Sequence, residues 1–184
     1  MKKVLIIHGL GGKPNGGWRP WLMGELGRAG IFAYALAMPD PDEPVLDAWV
    51  GEIRHAVALH PDDEIILVGH SLGVAAILRY LEREGGRKVQ GAVLIAGPSA
   101  PSTSEKARTF LDKPFAYGRI REKLGRCVLI YGDRDEIVPP SHAEAHARGL
   151  DAPVIMVKGV GHFNSSSGCF ALPECLEAVL DMIR

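Results

Sequence analysis

The chain contains 184 residues, of which 47% are hydrophobic and 23% are charged, and its formal net charge at pH 7 is -1. This length fits one domain with a continuous buried core, and the composition excludes a disordered chain. A nearly neutral chain has no long-range attraction for nucleic acid or for an anionic membrane surface, so we expect neither as a partner.

The cysteines and the N-terminal residues bear on where the protein works. Cys127, Cys169 and Cys175 are an odd number, so they cannot form a closed disulfide framework, and their spacing matches no common zinc signature. The apolar run at residues 4–7 is too short for a secretory signal or a membrane-spanning helix. We therefore expect a cytoplasmic protein, either a monomer or a dimer.

Short apolar runs rich in β-branched residues alternate with segments of helical periodicity. The predicted strands are residues 4–7, 31–36, 64–68, 91–96, 127–131 and 153–157. The predicted helices are residues 21–29, 45–59, 72–84, 141–150 and 172–183. Unbroken apolar runs are typical of strands covered on both faces. The pattern predicts a single α/β domain over residues 1–184, with a parallel sheet between two helical layers.

One segment, residues 98–126, interrupts the alternation of strands and helices. It contains seven basic residues, three acidic residues and the aromatic residues Phe110, Phe115 and Tyr117. Charge runs usually mark exposed faces, so the segment fits a solvated connection with one short helix. It also fits a small cap over a functional site, and the sequence leaves both interpretations open.

The most informative motif follows the third predicted strand. There Gly69-His70-Ser71-Leu72-Gly73 forms a G-x-S-x-G pattern between a strand and a helix, which is typical of a nucleophile elbow. A serine on so sharp a turn adopts a strained backbone conformation, and side chains two positions away on either side would collide with it. Glycines at positions 69 and 73 avoid that collision, so we predict that Ser71 is a nucleophile.

Two later strands also run into loops that carry polar side chains. The strand at 127–131 leads into Gly132-Asp133-Arg134-Asp135, followed by Val138-Pro139, and the strand at 153–157 leads into Gly161-His162-Phe163-Asn164. Acyl transfer by a serine requires a base, a carboxylate that orients the base, and donors for the oxyanion. The loop after residue 131 supplies a carboxylate, and the loop after residue 157 supplies a histidine that can act as the base.

These motifs make the chain resemble the α/β hydrolases, and more narrowly the small serine hydrolases of the retinoblastoma-binding-protein-like family and its bacterial relatives. The resemblance also rests on the Gly-rich loop after the first strand, with Trp18 and Pro20-Trp21-Leu22, and it covers essentially the whole chain. It implies a minimal fold with six parallel strands in the order 2-1-3-4-5-6 and little or no lid. A ligand site is then expected where the strand order reverses, beside the first and third strands.

The resemblance also implies roles for particular residues. In α/β hydrolases the nucleophile, the acid and the histidine follow one another in that order along the chain. By position in the motif Asp135 is the acid, Asp133 shapes the turn, and His162 is the base. The backbone N–H groups of Leu10 and Leu72 are the expected oxyanion donors.

Other histidines have less active interpretations. His8 ends the first strand and is expected to make structural hydrogen bonds, and His70 points away from its neighbour Ser71 in a tight turn. His142 and His146 are spaced to share one helix face, but the residues between them do not give the H-E-x-x-H zinc motif, so we expect a solvated face.

No cofactor or metal is expected. The sequence Gly9-Leu10-Gly11-Gly12-Lys13-Pro14 fails the dinucleotide fingerprint at Pro14 and lacks the hydroxyl residue that a phosphate-binding loop has after its lysine. The favoured function is a serine esterase that takes a small acyl substrate through an acyl-enzyme. The alternative is a protein-interaction module on a hydrolase scaffold, because one fold hosts many functions.

The aromatic residues of the loops leave one question open. Trp18, Trp21 and Phe163, with the aromatic residues of segment 98–126, are consistent with an apolar acyl pocket and equally with core packing.

Overall fold

The computed structural model describes residues 1–101 and 104–184. Residues 102 and 103, which belong to the proposed cap segment, lie outside the described residues. Within the described chain, the strands form one six-stranded parallel sheet in the order β2-β1-β3-β4-β5-β6, which confirms the predicted order. The strands are β1 (Lys2–Ile7), β2 (Phe32–Ala35), β3 (Glu64–His70), β4 (Val89–Ile95), β5 (Leu124–Gly132) and β6 (Val154–Val157).

In the described part of the chain, the five predicted helices are present in the predicted order, and two further helices lie between β4 and β5. The helices are α1 (Arg19–Arg28), α2 (Leu46–Ala58), α3 (Leu72–Glu82), α4 (Arg108–Leu111), α5 (Tyr117–Lys123), α6 (His142–Leu150) and α7 (Pro173–Ile183). Short 3-10 turns occupy Glu105–Ala107 and Ser165–Ser167. Among the described helices, none is long and apolar enough to cross a membrane.

The sheet is buried on both faces because successive side chains of each strand point in opposite directions. Val4 and Ile6 of β1 belong to the apolar cluster under α1 and α7. Leu5 and Ile7 belong to the other cluster, under the remaining helices. This explains why the strands appear in the sequence as unbroken apolar runs, and it gives the expected three layers.

Element boundaries shift by a few residues from those predicted. The largest shift is at β5, which begins at Leu124 rather than at residue 127, because Leu124 pairs with Val89 of β4. The backbone oxygen of Gln90 lies so close to Gly125 that a Cβ there would meet it. A glycine in the strand therefore permits the close pairing that extends it.

The segment at 98–126 is more ordered than a solvated connection with one helix, since it contains α4, α5 and a 3-10 turn. Buried Arg79 of α3 holds it by donating hydrogen bonds to the backbone oxygens of Phe110 at 2.9 Å and of Lys113. The Arg79 guanidinium also lies 4.3 Å from the centre of the Phe115 ring. These contacts pack the segment onto α3.

The sheet topology determines where the functional loops meet. In a parallel sheet all strands end at the same edge, and here the last residues of β1, β3, β5 and β6 lie at one edge. The Gly-rich loop, the elbow and the loops with Asp135 and His162 follow those strands.

Candidate active site

Ser71 occupies the sharp turn between β3 and α3. Its backbone has φ 55° and ψ -121°, a conformation that non-glycine residues rarely adopt. Gly73 is required sterically, because a Cβ there would lie 2.4 Å from the backbone oxygen of Ile7. Gly69 is also tightly enclosed, since a Cβ there would lie 2.7 Å from Ile77 Cδ1 and 3.1 Å from the backbone of Val74. The elbow geometry expected from the motif is therefore present.

The three side chains singled out in the sequence lie in direct contact. Ser71 Oγ is 2.8 Å from His162 Nε2, although the two residues are 91 positions apart. On the other side of the ring, His162 Nδ1 is 2.7 Å from Asp135 Oδ2. Because a carboxylate only accepts, Nδ1 carries the proton and Nε2 is left free to accept the proton of the serine hydroxyl.

Asp135 is buried and fully hydrogen-bonded. Its second oxygen, Oδ1, accepts from the backbone N–H groups of Ile137 at 2.9 Å and Val138 at 2.8 Å. Burial alone would raise the pKa of this carboxyl. The hydrogen bonds from His162 and from the two backbone N–H groups outweigh burial and hold the pKa of Asp135 below its ordinary value. The carboxylate is thus charged at neutral pH, with its position fixed by the turn.

Asp133 has a different position from Asp135. Its Oδ1 accepts from the backbone N–H of Gly159 at 2.6 Å and so ties the loop after β5 to the loop after β6. Asp133 therefore joins two loops instead of shaping its own turn as expected, and the backbone N–H groups of that turn bond to Asp135.

Two side chains that sequence reasoning did not assign to the site hold the histidine loop in place. His70 Nε2 donates to the backbone oxygen of His162 at 2.7 Å, and Trp18 Nε1 donates to the backbone oxygen of Phe163 at 3.0 Å. Burial lowers the pKa of His70 to about 3, so its ring is neutral. Phe163, the residue after His162, has φ 52°, a conformation that residues other than glycine rarely adopt. The position of Trp18 in the Gly-rich loop was the available sequence signal.

The Gly-rich loop approaches the serine closely at its first residue. A Cβ on Gly9 would lie 2.8 Å from Ser71 Cβ, so only glycine fits there. His8 shapes the loop because its Nδ1 donates to the backbone oxygen of Gly9 at 2.8 Å, while its Nε2 accepts from the N–H of Met38 at 3.3 Å. Both bonds are structural, as expected for His8.

The expected oxyanion donors lie on two different segments that both reach the serine. Leu72 begins α3, so its N–H belongs to the first turn of the helix, where amides have no intrahelical partner. Leu10 lies in the Gly-rich loop, and across residues 1–101 and 104–184 no hydrogen-bond acceptor engages its N–H. Leu10, Ser71 and Leu72 line one cavity together.

The expectation of a solvated face for His142 and His146 is wrong. His146 is fully buried: Tyr117 O–H donates to its Nδ1 at 3.0 Å, and its Nε2 donates to the backbone oxygen of Pro98 at 3.1 Å. His142 Nδ1 accepts from the backbone N–H of Ser99 at 3.0 Å. This face of α6 is covered because the segment that follows β4 packs onto it, which helical periodicity alone does not reveal.

Two cavities meet at Ser71. The larger, the glycine-loop cavity, has a volume of about 520 Å³ and is lined by residues 9–13, 16, 17, 19, 70, 71, 137, 162 and 164–166. The smaller, the apolar cavity, has a volume of about 260 Å³ and is lined by residues 10, 71, 72, 98, 100, 101, 104, 107, 111, 137, 138 and 142. Segment 98–126 therefore contributes a wall of the site through its first half.

The aromatic residues do not form this wall. Trp18 and Phe163 are fully buried in the cluster under α1 and α7, with Trp21 packed against it. Phe110 and Phe115 are buried in the opposite cluster. Core packing, rather than an aromatic acyl pocket, accounts for them, because no Phe, Tyr or Trp among the described residues lines the apolar cavity.

The described residues hold no group of three or more His, Cys, Asp or Glu side chains that could bind a metal ion. The chemistry available at this edge of the sheet is that of the serine, the histidine, the aspartate and the surrounding backbone amides.

Comparison with known proteins shows similarity along nearly the whole chain. The sequence model of the family described as serine hydrolase matches residues 4–181. The hydrolase YdeN of Bacillus subtilis (strain 168) is 34% identical over 175 residues, covering 94% of this chain and 91% of YdeN. Serine hydrolase RBBP9 of Rattus norvegicus is 25% identical over 169 residues, covering 89% of this chain and 88% of RBBP9.

The fold is also similar to that of a solved structure. The crystal structure of the ydeN gene product from B. subtilis superposes with a TM-score of 0.92 at 31% identity, covering 100% of this chain and 99% of that one. The six-stranded order and both helical layers are therefore shared with a solved structure.

Proposed function

The chain belongs to the serine hydrolase family, and from that membership we propose that it is a carboxylic ester hydrolase acting on small acyl esters through Ser71, His162 and Asp135. The observation that carries the proposal is the pair of contacts at the His162 ring, 2.8 Å to the serine hydroxyl and 2.7 Å to the carboxylate. These are the distances at which a base can accept the serine proton while a carboxylate orients it.

In the first half of the reaction, Ser71 Oγ attacks the acyl carbonyl carbon while His162 Nε2 takes the hydroxyl proton. The carbonyl oxygen becomes an oxyanion, which the N–H groups of Leu10 and Leu72 stabilise. Asp135 stabilises the resulting imidazolium and keeps the ring in orientation. Collapse of the tetrahedral intermediate breaks the bond to the leaving oxygen, which takes the proton from His162 Nε2.

In the second half, water attacks the acyl-enzyme carbonyl and gives a proton to His162. The second intermediate collapses, the carboxylic acid leaves, and His162 returns the proton to Ser71 Oγ. No step requires a cofactor or a metal.

The size of the apolar cavity supports a small acyl group. The apolar cavity of about 260 Å³ has aliphatic walls such as Ala107 and Leu111 beside Ser71 and Leu72. A cavity of this size and character suits a short acyl chain, so we expect turnover of p-nitrophenyl esters to peak at two to four acyl carbons.

A fluorophosphonate probe tests the nucleophile directly. The probe is expected to label the wild-type protein on Ser71, and Ser71→Ala is expected to abolish labelling. Ser141→Ala is the matched control, because this exposed serine precedes α6 and makes no capping hydrogen bond. Labelling that survived in Ser71→Ala would disprove the assignment of the nucleophile.

The ester panel decides between chemistry and binding. Turnover with a sharp optimum in acyl length supports the esterase. No turnover of any ester, with a protein partner captured equally by the wild type and Ser71→Ala, would replace it with the interaction module.

A further inference from the structure

The two cavities at Ser71 differ in charge. In the described part of the chain, the apolar cavity is lined by aliphatic residues and prolines together with Ser71, Ser104 and His142, and by no Lys, Arg, Asp or Glu. The glycine-loop cavity is lined by Lys13 and Arg19 and by no carboxylate side chain among the described residues. The uncharged polar residues Asn164 and Ser165 also line the glycine-loop cavity. A substrate that spans the serine therefore meets an apolar wall on one side and a positive charge on the other.

Arg19 is the unusual member of this lining. It is buried, with 6% of its surface exposed, and such burial of a guanidinium is rare unless it is paired. In this chain its Nε donates to the backbone oxygen of Lys13 at 3.0 Å, which fixes the base of the side chain. Its guanidinium lies 5.8 Å from the centre of the Trp18 ring, a distance typical of a cation–π contact.

The terminal nitrogens of Arg19 have no anion of the protein to bind. Over residues 1–101 and 104–184 no carboxylate lies within ion-pair distance of this guanidinium, and its single hydrogen bond is the one from Nε to the backbone oxygen of Lys13. Nη2 lies against Gly16, where a Cβ would approach it to 2.7 Å, and Gly16 itself lines the cavity. Asp42 also approaches the loop, at Gly11, where a Cβ would lie 3.3 Å from its Oδ1.

Burial lowers the pKa of Arg19, but an arginine keeps its charge throughout the range in which proteins fold. A buried cation without a partner costs free energy, and an oxyanion that enters the cavity and makes bidentate hydrogen bonds offsets that cost. The lining thus favours a ligand that brings a negative charge.

The proton path indicates which half of the substrate lies there. His162 protonates the leaving oxygen, so the alcohol half must lie on the side of the serine that the His162 ring faces. His162 lines the glycine-loop cavity and is absent from the lining of the apolar cavity. Leu72, by contrast, lines the apolar cavity and does not line the glycine-loop cavity. The acyl chain therefore occupies the apolar cavity and the alcohol half the glycine-loop cavity.

We propose that the alcohol half of the substrate carries an anionic group, a carboxylate or a phosphate, which Arg19 binds in the glycine-loop cavity. The substrate class is a short-chain acyl ester of a hydroxy acid or of a phosphorylated alcohol. This assignment of substrate class rests on the proposed esterase function.

The test compares esters that differ only in charge. Butyryloxyacetate carries a carboxylate, 2-(butyryloxy)ethyl phosphate carries a phosphate, and butyryloxyacetamide is the neutral analogue of the first. We expect kcat/KM for at least one anionic ester to exceed that for the amide by about 10- to 100-fold, the range of a charged hydrogen-bonded pair. The preferred anion identifies the source of the charge.

Substitutions at position 19 test whether Arg19 causes the preference for anionic esters. Arg19→Gln is expected to remove the preference mainly by raising KM for the anionic ester, so that kcat/KM falls by a larger factor for the anionic ester than for the amide. Arg19→Lys is expected to retain part of the preference, because it keeps the charge and loses the planar fork. Arg28→Gln is the matched control on the same helix, since its side chain is exposed and paired with Glu25.

Each result has a defined meaning. Equal kcat/KM for the charged and neutral esters would overturn the inference and leave the esterase standing. An equal loss on both esters in Arg19→Gln, with a lowered melting temperature, would show that Arg19 has a structural role only. If no ester is hydrolysed and the fluorophosphonate does not label Ser71, the proposed function fails. Calorimetry on Ser71→Ala with butyryloxyacetate and with 2-(butyryloxy)ethyl phosphate then decides whether the cavity binds an anion. Binding of either that Arg19→Gln removes supports the anion site, and binding of neither overturns it.

Discussion

His162 and His146 are both buried histidines with hydrogen bonds at both ring nitrogens, and they differ in their partners. His162 bonds to a carboxylate and to the hydroxyl of Ser71, which faces two cavities. His146 bonds to the phenol of Tyr117 and to a backbone carbonyl, enclosed between α6 and the segment after β4. A carboxylate is in place to stabilise an imidazolium at the first ring, whereas the partners of the second ring are both uncharged.

The burial of His146 also lowers its pKa. Burial lowers it to about 4, only partly offset by hydrogen bonds to backbone carbonyls, so the ring is neutral at pH 7. Protonation would also remove the acceptor that Tyr117 uses. A buried histidine without a carboxylate is therefore a structural connection, and the following experiments test this distinction.

The largest expected effect is on turnover. His162→Ala is expected to lower kcat/KM for p-nitrophenyl butyrate by about a thousandfold or more, because members of a triad act as a unit. Its free energy of unfolding, measured in urea, is expected to change much less than that of His146→Ala, since the ring faces a cavity. A fall in activity of less than tenfold would contradict its role as the base.

The next effect concerns stability. His146→Ala is expected to lower the free energy of unfolding by about 2–4 kcal/mol, because it leaves a cavity and removes the partners of Tyr117 and Pro98. Turnover of p-nitrophenyl acetate is expected to stay within about threefold of the wild type. His55→Ala, at an exposed position on α2, is the control and is expected to cost under about 0.5 kcal/mol.

The third effect is a dependence of stability on pH. Because the folded-state pKa of His146 is about 4, below the ordinary histidine value of 6.5, the unfolded chain binds the extra proton first as the pH falls. The contribution of His146 is complete above pH 6.5 and is lost as the pH falls toward 4, by about 2 kcal/mol between pH 7.5 and 5.

Urea unfolding of the wild type and of His146→Ala at several pH values isolates this contribution. The difference between the two free energies is expected to shrink toward pH 5. A difference that stays constant would mean that the ring titrates equally in both states.

The smallest effect concerns the acyl chain. Ala107 lines the apolar cavity and is nearly buried, so Ala107→Leu is expected to lower the ratio of butyrate to acetate turnover by about tenfold. Ala116→Leu, at an exposed position of the same segment, should leave the ratio unchanged. An unaltered ratio in Ala107→Leu would place the acyl chain outside this cavity.

Much of the architecture was predictable because local patterns report it. The unbroken apolar runs gave the buried parallel strands, and the order 2-1-3-4-5-6 followed from the resemblance and is confirmed. The elbow was predictable from two glycines, since the collisions they avoid involve atoms close to the turn, such as Ile77 and the backbone of β1. Strand ends were less accurate, because pairing with a neighbour such as Val89 decides them.

The errors concern contacts between distant segments. The helical spacing of His142 and His146 could not show that residues after β4 cover that face, and the position of Trp18 could not show that it binds the histidine loop. Arg19 appeared only as a residue between a tryptophan and a proline. Its burial beside Lys13 and Gly16 depends on the fold of the loop around it.

The sequence by itself determined the fold class, the turn at Ser71 and the identity of the candidate acid and base, because periodicity, glycine sterics and motif order are local properties of the chain. Only the tertiary structure decided which histidines are enclosed, which aromatic residues belong to the core, and that the two cavities beside the serine differ in charge. Burial and charge environment are sums over residues from many parts of the chain, and folding alone brings those residues together.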